Sequence, residues 1–281
     1  MENVLYAIQF DFMRNALAAG LLVSLAAGIV GVYVVLNRVT ILSGGIAHAA
    51  YGGVGIAYFF GFDPLLGGII FSLFASFLMN IVQRVARQRT DMLIGVMWAV
   101  GMAIGIIFID RTPGYKVDLM SYLFGSLLAV SQKEIVIILV LDVIVLITVL
   151  ALYRNILAIS YDATFATVRG VPVNAISLIL TALIALTVVM MMRVVGLILV
   201  IALLTLPAAV AGLFSRNMLK MMVIASLLGA VFTVTGLWLS YTYNLTSGAA
   251  IILVAAVAYG VGLLIKRSIT RPELSNLNND C

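Results

Sequence analysis

The chain has 281 residues, of which 64% are hydrophobic and 10% charged, with 16 Lys and Arg against 11 Asp and Glu. Soluble domains carry about 45–50% apolar and about 25% charged residues, and one core in a chain of this length cannot bury the excess, which excludes a water-soluble globular fold. The 24 Gly and 13 Met scattered among aliphatic residues exclude a disordered or collagen-like chain, and the single Cys, Cys281, excludes an internal disulfide. An all-α polytopic membrane protein remains.

Residues 1–15 carry Glu2 and Asp11 and no basic residue before Arg14. The small residues Ala16-Leu17-Ala18 precede the apolar run instead of following it, the wrong order for a signal peptide, so 1–15 read as an outer N-terminal segment and the first helix is retained. A spanning helix needs about 20 apolar residues. Such runs fall at 16–36, 41–61, 64–83, 92–110, 135–153, 173–192, 195–214, 221–243 and 246–265. They predict nine spans, or eight if the Gly-rich 41–61 does not cross. The apolar stretch 117–130 is too short to cross and reads as a re-entrant or interfacial helix. Pro64 and Pro172 stand where helices begin, Pro113-Gly114 marks a turn, and Pro207 inside 195–214 predicts a kink. Gly101 and Gly105 form a GxxxG pair that admits a close helix neighbour.

Lys and Arg favour the cytoplasmic ends of spans. With the C-terminus inside, eleven of the 16 basic residues fall on the cytoplasmic side, provided that 117–130 does not cross. The net charge of +5 therefore reports topology and not a nucleic-acid partner. The transmembrane region is 16–265, with 266–281 as a polar cytoplasmic tail.

The sequence has no GxxxxGK[ST] phosphate loop, no HExxH, no GxSxG and no Cys/His cluster. It reads as a non-enzyme. Ionisable residues at membrane depth cost about 2.5–3.5 kcal/mol or more, so they are the candidate functional groups. His48, flanked by Gly44, Gly45 and Gly52, is either a neutral imidazole hydrogen-bonded between helices or a ligand on a cation path. Asp142 lies in an otherwise apolar helix and reads as a buried polar partner or a weaker metal candidate. Asp118, at the start of the re-entrant stretch, is either a helix N-terminal carboxylate or a cation-attracting group at the outer mouth. One His and no usable thiolate cannot build a structural zinc site, whereas passage needs only weak binding. The longest inner connection, 154–172, is a solvated loop or a short docking helix.

Five ordered stretches then resemble the ABC-3 family of zinc, manganese and iron ABC permeases: VLNRVTILSGGIAHAAYGGVGIAYFFG, VDLMSYLFGSLLAV, ISYDATFATVRGVPV, RVVGLILVIALLTLPAAVAGLF and LSYTYNLTSGAAIILV. They run from about residue 34 to 265, and the second is similar to zinc-uptake permeases. The resemblance implies a dimeric permease in the cell membrane, with a fold similar to vitamin B12 and siderophore importers. Its implied partners are a separate ABC ATPase on the cytoplasmic face, an extracytoplasmic metal-binding protein and a second permease copy. It implies a coupling segment within 154–172, with Asp162, Ala166, Arg169 and Gly170 at the docking positions, and zinc, manganese or iron as transported ion without any resident cofactor. Only His48 carries over from the family's site: many members have Asp four residues earlier, where this chain has Gly44, and Pro where it has Gly52. The competing class is a gradient-driven transporter or channel. That class calls for several intramembrane carboxylates and an internal repeat, and Asp142 alone lies well inside a span.

Overall fold

A computed structural model describes residues 9–85, 90–113, 125 and 127–277. Long apolar runs become helices because every backbone polar group is then satisfied within its own segment. The helices are α1 Asp11–Leu36, α2 Thr40–Phe60, α3 Pro64–Val85, α4 Thr90–Arg111, α5 Gln132–Tyr161, α6 Ala163–Val168, α7 Val173–Val195, α8 Leu197–Phe214, α9 Met218–Tyr243 and α10 Ser247–Leu277. A 3₁₀ turn, Leu127–Ala129, precedes α5.

Among the described residues, seven helices are long and apolar enough to cross a membrane. The two other long helices stand outside that set for different reasons. Five glycines and His48 dilute the hydropathy of α2, and α8 enters only as the shorter apolar run Leu199–Phe214. Two expected boundaries move. The helix expected to end at 153 runs on to Tyr161, because Ile156 is buried and Asn37 donates a hydrogen bond to Ser160 across to α1. The last helix continues through the expected polar tail to Leu277. Of the stretch 117–130, residues 117–124 and 126 lie outside the description. Its end tucks in: Leu127 is fully buried, and the Asn15 amide donates to the Val130 carbonyl. α8 runs through Pro207 without a break in the helix.

The helix starts follow from local chemistry. Pro64 opens α3, and the Asp63 carboxylate accepts from the amides of Leu65 and Leu66. Ser131 and Glu134 form a reciprocal capping box at α5, and Glu134 also pairs with Arg193 of α7. Asn217 caps α9.

α1 and α7 are the most enclosed of the seven spans, and α8 lies with them at the centre. On one flank α2, α3 and α4 pack together; on the other α9 and α10 pack against α1 and α8, while α5 leans on α1 and α7. The bundle thus has a lower end, holding the α1–α2 turn, α6 and the α8–α9 turn, and an upper end holding the α2–α3 and α7–α8 turns. α1 and α9 are antiparallel and locked by a buried 2.9 Å hydrogen bond between the Ser24 and Thr233 hydroxyls. Gly20 and Gly28 let α9 come close on either side of it. At the lower end, below α1, lies a cavity of about 610 Å³ with Leu36, Leu157, Tyr161, Met218 and Arg216 in its wall.

Candidate functional site

Five glycines in one helix are a liability on their own, each costing roughly 1 kcal/mol against Ala. In α2 they are compensated by close approach. α2 and α4 run parallel, with Ile94 against Gly45, Gly101 against Ala49 and Gly105 against Tyr51 and Gly55. A Cβ added at Gly101 lies 2.5 Å from Ala49 Cα, and one at Gly52 lies 2.8 Å from the Gly101 carbonyl oxygen. The GxxxG pair is therefore a backbone-to-backbone seam. On its other side α2 meets α3, where a Cβ at Gly53 falls 2.8 Å from the Gly67 carbonyl carbon.

His48 sits in this seam. Its ring stacks on Trp98 of α4 with centroids 3.8 Å apart and planes 12° from parallel. Nδ1 is buried without a hydrogen-bond partner among the described residues. One turn further along, Tyr51 is 2% exposed and its hydroxyl also lacks a partner. An unpaired buried polar atom costs about 1–3 kcal/mol. Two of them, three residues apart on one helix, are a standing expense that a visiting cation can relieve. Imidazole nitrogen and phenol oxygen both ligate divalent metals of the first transition row.

Asp142 lies elsewhere. It is 4% exposed on the face of α5 that also buries Ile138, Leu141 and Val145, against α1 and α7, and neither carboxylate oxygen has a hydrogen-bond partner among the described residues. Thr187 of α7 is a second buried, unpartnered hydroxyl. The structure brings His48 to α4 and sets Asp142 on a helix whose main neighbours are α1 and α7. Asp118 lies outside the described residues. Among the described residues no three His, Cys, Asp or Glu side chains gather as a metal cluster.

The 154–172 connection is mostly helical. Asp162 ends α5 and caps α6, its Oδ1 accepting from the amides of Thr164 at 2.8 Å and Phe165 at 3.0 Å. Ala166 is buried against the bundle, which seats the short helix. Its other face stands out: Phe165 is 55% exposed and Val168 81%, and Tyr161 at the end of α5 is 78% exposed. Arg169 lies over the Phe165 ring, 5.1 Å from its centroid. Gly170 has φ +79° with nothing within 4 Å of a Cβ placed there, so the turn itself requires glycine. Exposed aromatic and aliphatic side chains on a projecting six-residue helix make a contact surface.

Sequence reasoning missed Trp98 and Tyr51. Both are ordinary residues of apolar helices: only the α2–α4 register reveals Trp98 as a neighbour of His48, whereas Tyr51, three residues on in α2, was within reach of the i, i+3 spacing.

The ABC 3 transport family model matches residues 9–266. The chain belongs to that family, and it is a multi-pass membrane protein. It is 53% identical over 267 residues to an uncharacterized membrane protein of Synechocystis sp., covering 95% of each chain. It is 33% identical over 257 residues to a manganese transport system membrane protein of Listeria monocytogenes, covering 92% of this chain and 91% of that one. Its fold superposes on PsaBC from Streptococcus pneumoniae, solved in complex with Fab, with a TM-score of 0.85 and 30% identity, covering 93% of this chain and 94% of that one.

Proposed function

We propose that this chain is the permease subunit of an ATP-driven importer that carries a divalent transition metal, manganese first among zinc, manganese and iron, into the cytoplasm. The observation that carries the reading is the His48–Trp98 seam, with its unpartnered imidazole nitrogen and Tyr51 hydroxyl, in a family whose Listeria relative is a manganese transport protein. Those donors are too few to store an ion and suffice to pass one. The resident chemistry is binding and release; ATP hydrolysis belongs to a separate ATPase.

On this reading all nine long helices cross the membrane, with α2 and α8 sheltered by their neighbours. The lower end is cytoplasmic, in keeping with Arg38, Arg154, Arg169, Arg216, Lys220, Lys266 and Arg267 gathered there. The ATPase docks on α6 and the turn after it, with Asp162 and Ala166 setting the helix and Arg169 and Gly170 shaping its end. A metal-binding protein delivers the ion at the upper end, and a second permease copy completes the membrane assembly. Asp118, outside the described residues, is on this reading a cation-attracting carboxylate. Asp142 serves the bundle core beside the path.

The test is uptake in proteoliposomes holding the permease, its ATPase and its binding protein, across a panel of divalent ions. Uptake requires ATP and all three components; metal uptake without the ATPase refutes the reading. In the same assay His48→Ala lowers the manganese uptake rate at least tenfold while the ATPase still co-purifies. Unchanged uptake returns His48 to a packing role.

A smaller effect is expected between α1 and α9. Ser24→Ala leaves the Thr233 hydroxyl without its partner, costing about 1 kcal/mol, and a lowered melting midpoint in detergent checks it.

A further inference from the structure

We propose that the cavity at the lower end of the bundle is a binding site for one anionic phospholipid of the adjoining leaflet. Arg216 holds the phosphate, and an acyl chain lies between α1, α5 and α8. This site is separate from the α2–α4 seam and calls for neither a metal ion nor ATP.

The cavity measures about 610 Å³, within the range of about 300–1,000 Å³ usual for ligand sites. Its walls come from the ends of α1, α5 and α8 and the start of α9, with Leu36, Leu157, Leu213 and Met221 as apolar lining. α8 descends toward the lower end, so Ala209, seven residues before Arg216, stands about 10 Å above it. Tyr259 of α10 lines the same upper level, since Gly262, one turn below it, lies against Leu213 and Val210. The cavity thus reaches from the polar end of the bundle into the depth of its spans, a zone that lipid chains fill and a soluble partner does not.

Charge is confined to one end. Arg216 is the only charged side chain in the wall among the described residues, and it forms no ion pair among them. The hydroxyls beside it are already engaged: Ser160 accepts from the Asn37 amide group, and Ser215 accepts from the Asn217 backbone amide. The guanidinium is therefore what remains to meet a ligand's charge. The first turn of α9 brings the positive end of a 26-residue helix to the same place. An apolar cleft with a cation at its polar end matches an anionic amphiphile, whereas a zwitterionic lipid sets a second cation beside the guanidinium. Basic pockets between membrane helices take anionic headgroups, and a guanidinium meets a phosphate with two parallel hydrogen bonds. Tyr161 lines the cavity and directly precedes Asp162, so an occupant bears on the residue from which α6 starts.

The test counts the lipids that stay on the protein. The permease–ATPase complex is extracted from vesicles of equimolar phosphatidylglycerol and phosphatidylcholine and weighed by native mass spectrometry. The parent keeps phosphatidylglycerol at least threefold over phosphatidylcholine. Arg216→Gln lowers the phosphatidylglycerol at least threefold and leaves phosphatidylcholine unchanged, while Arg216→Lys retains at least half of the parent amount. Gly212→Leu lowers both lipids, because a Cβ there already lies 3.2 Å from Met221 Cε and the longer side chain fills the cavity. Lys220→Gln, one turn along α9 and outside the wall, keeps the parent amount. Arg216 is exposed, so its variants fold and decide the test even where Gly212→Leu does not. A weaker preference in the parent, a smaller loss in Arg216→Gln, or an equal loss in Lys220→Gln overturns the proposal, the last by showing a diffuse attraction to surface charge. So does lipid kept by the permease alone and missing from the complex, because the cavity then belongs to the ATPase.

Discussion

Replacing Gly105 by leucine is expected to disrupt the α2–α4 pair and abolish transport. A Cβ at this position lies 2.7 Å from both the Tyr51 carbonyl oxygen and its ring Cδ1, and Gly55 presses on the same turn with its own backbone. Backbone cannot swing aside as a side chain does, so the helices must separate along several turns. Overpacking a core position costs about 1–3 kcal/mol, and here the loss extends to the His48–Trp98 stack beyond it. The melting midpoint in detergent falls, and ATP-dependent metal uptake drops by more than tenfold. Gly95 on the same helix is the control. A Cβ there meets nothing within 4 Å, so Gly95→Leu leaves both measurements near the parent values.

The second large effect is expected at the other end of the molecule and has the opposite character. Gly170→Arg meets no atom of the bundle, so its direct penalty is confined to the left-handed backbone, about 1–2 kcal/mol. The bundle folds. What changes is the projecting surface of α6, where a bulky cation now stands beside Arg169 and Phe165. The variant is expected to lose co-purification of the ATPase and all ATP-dependent uptake while keeping its melting midpoint within a few degrees. Gly170→Ala separates the causes: it carries the same backbone strain without the bulk and retains ATPase binding. Normal ATPase capture by Gly170→Arg would refute the docking assignment.

These two glycines show what was legible in the sequence and what was not. The apolar runs located every long helix, because hydrophobic length is written locally, but the ends of α5 and α10 lie well beyond the apolar runs. The end of α5 moved for tertiary reasons: Ile156 found a burial site and Ser160 a partner on α1, and neither is visible from residues 154–161 alone. GxxxG announced a close neighbour for α4 without naming it, since Gly45, Gly52 and Gly55 offered equally good partners to any helix. His48 was visible as a costly group at depth. Its surroundings were not, because the stack on Trp98 depends on the register of two helices that are separated by a third in the chain. Asp142 was visible for the same reason as His48, yet its helix leans on α1 and α7, a fact carried only by the packing order.

The α2–α4 seam also fixes how much sequence change this membrane protein can absorb, and where. The pair is specified by side chains that are missing, not by side chains that are present. Its outward face, with Val96, Val100 and Ile107 half or more exposed, is indifferent to one aliphatic residue or another. A little under half a turn away, a single added methyl meets backbone. A saturation library of this helix selected for metal-dependent growth would therefore be permissive almost everywhere and silent at two points, Gly101 and Gly105. Drift would rewrite the surface freely and leave that narrow line untouched.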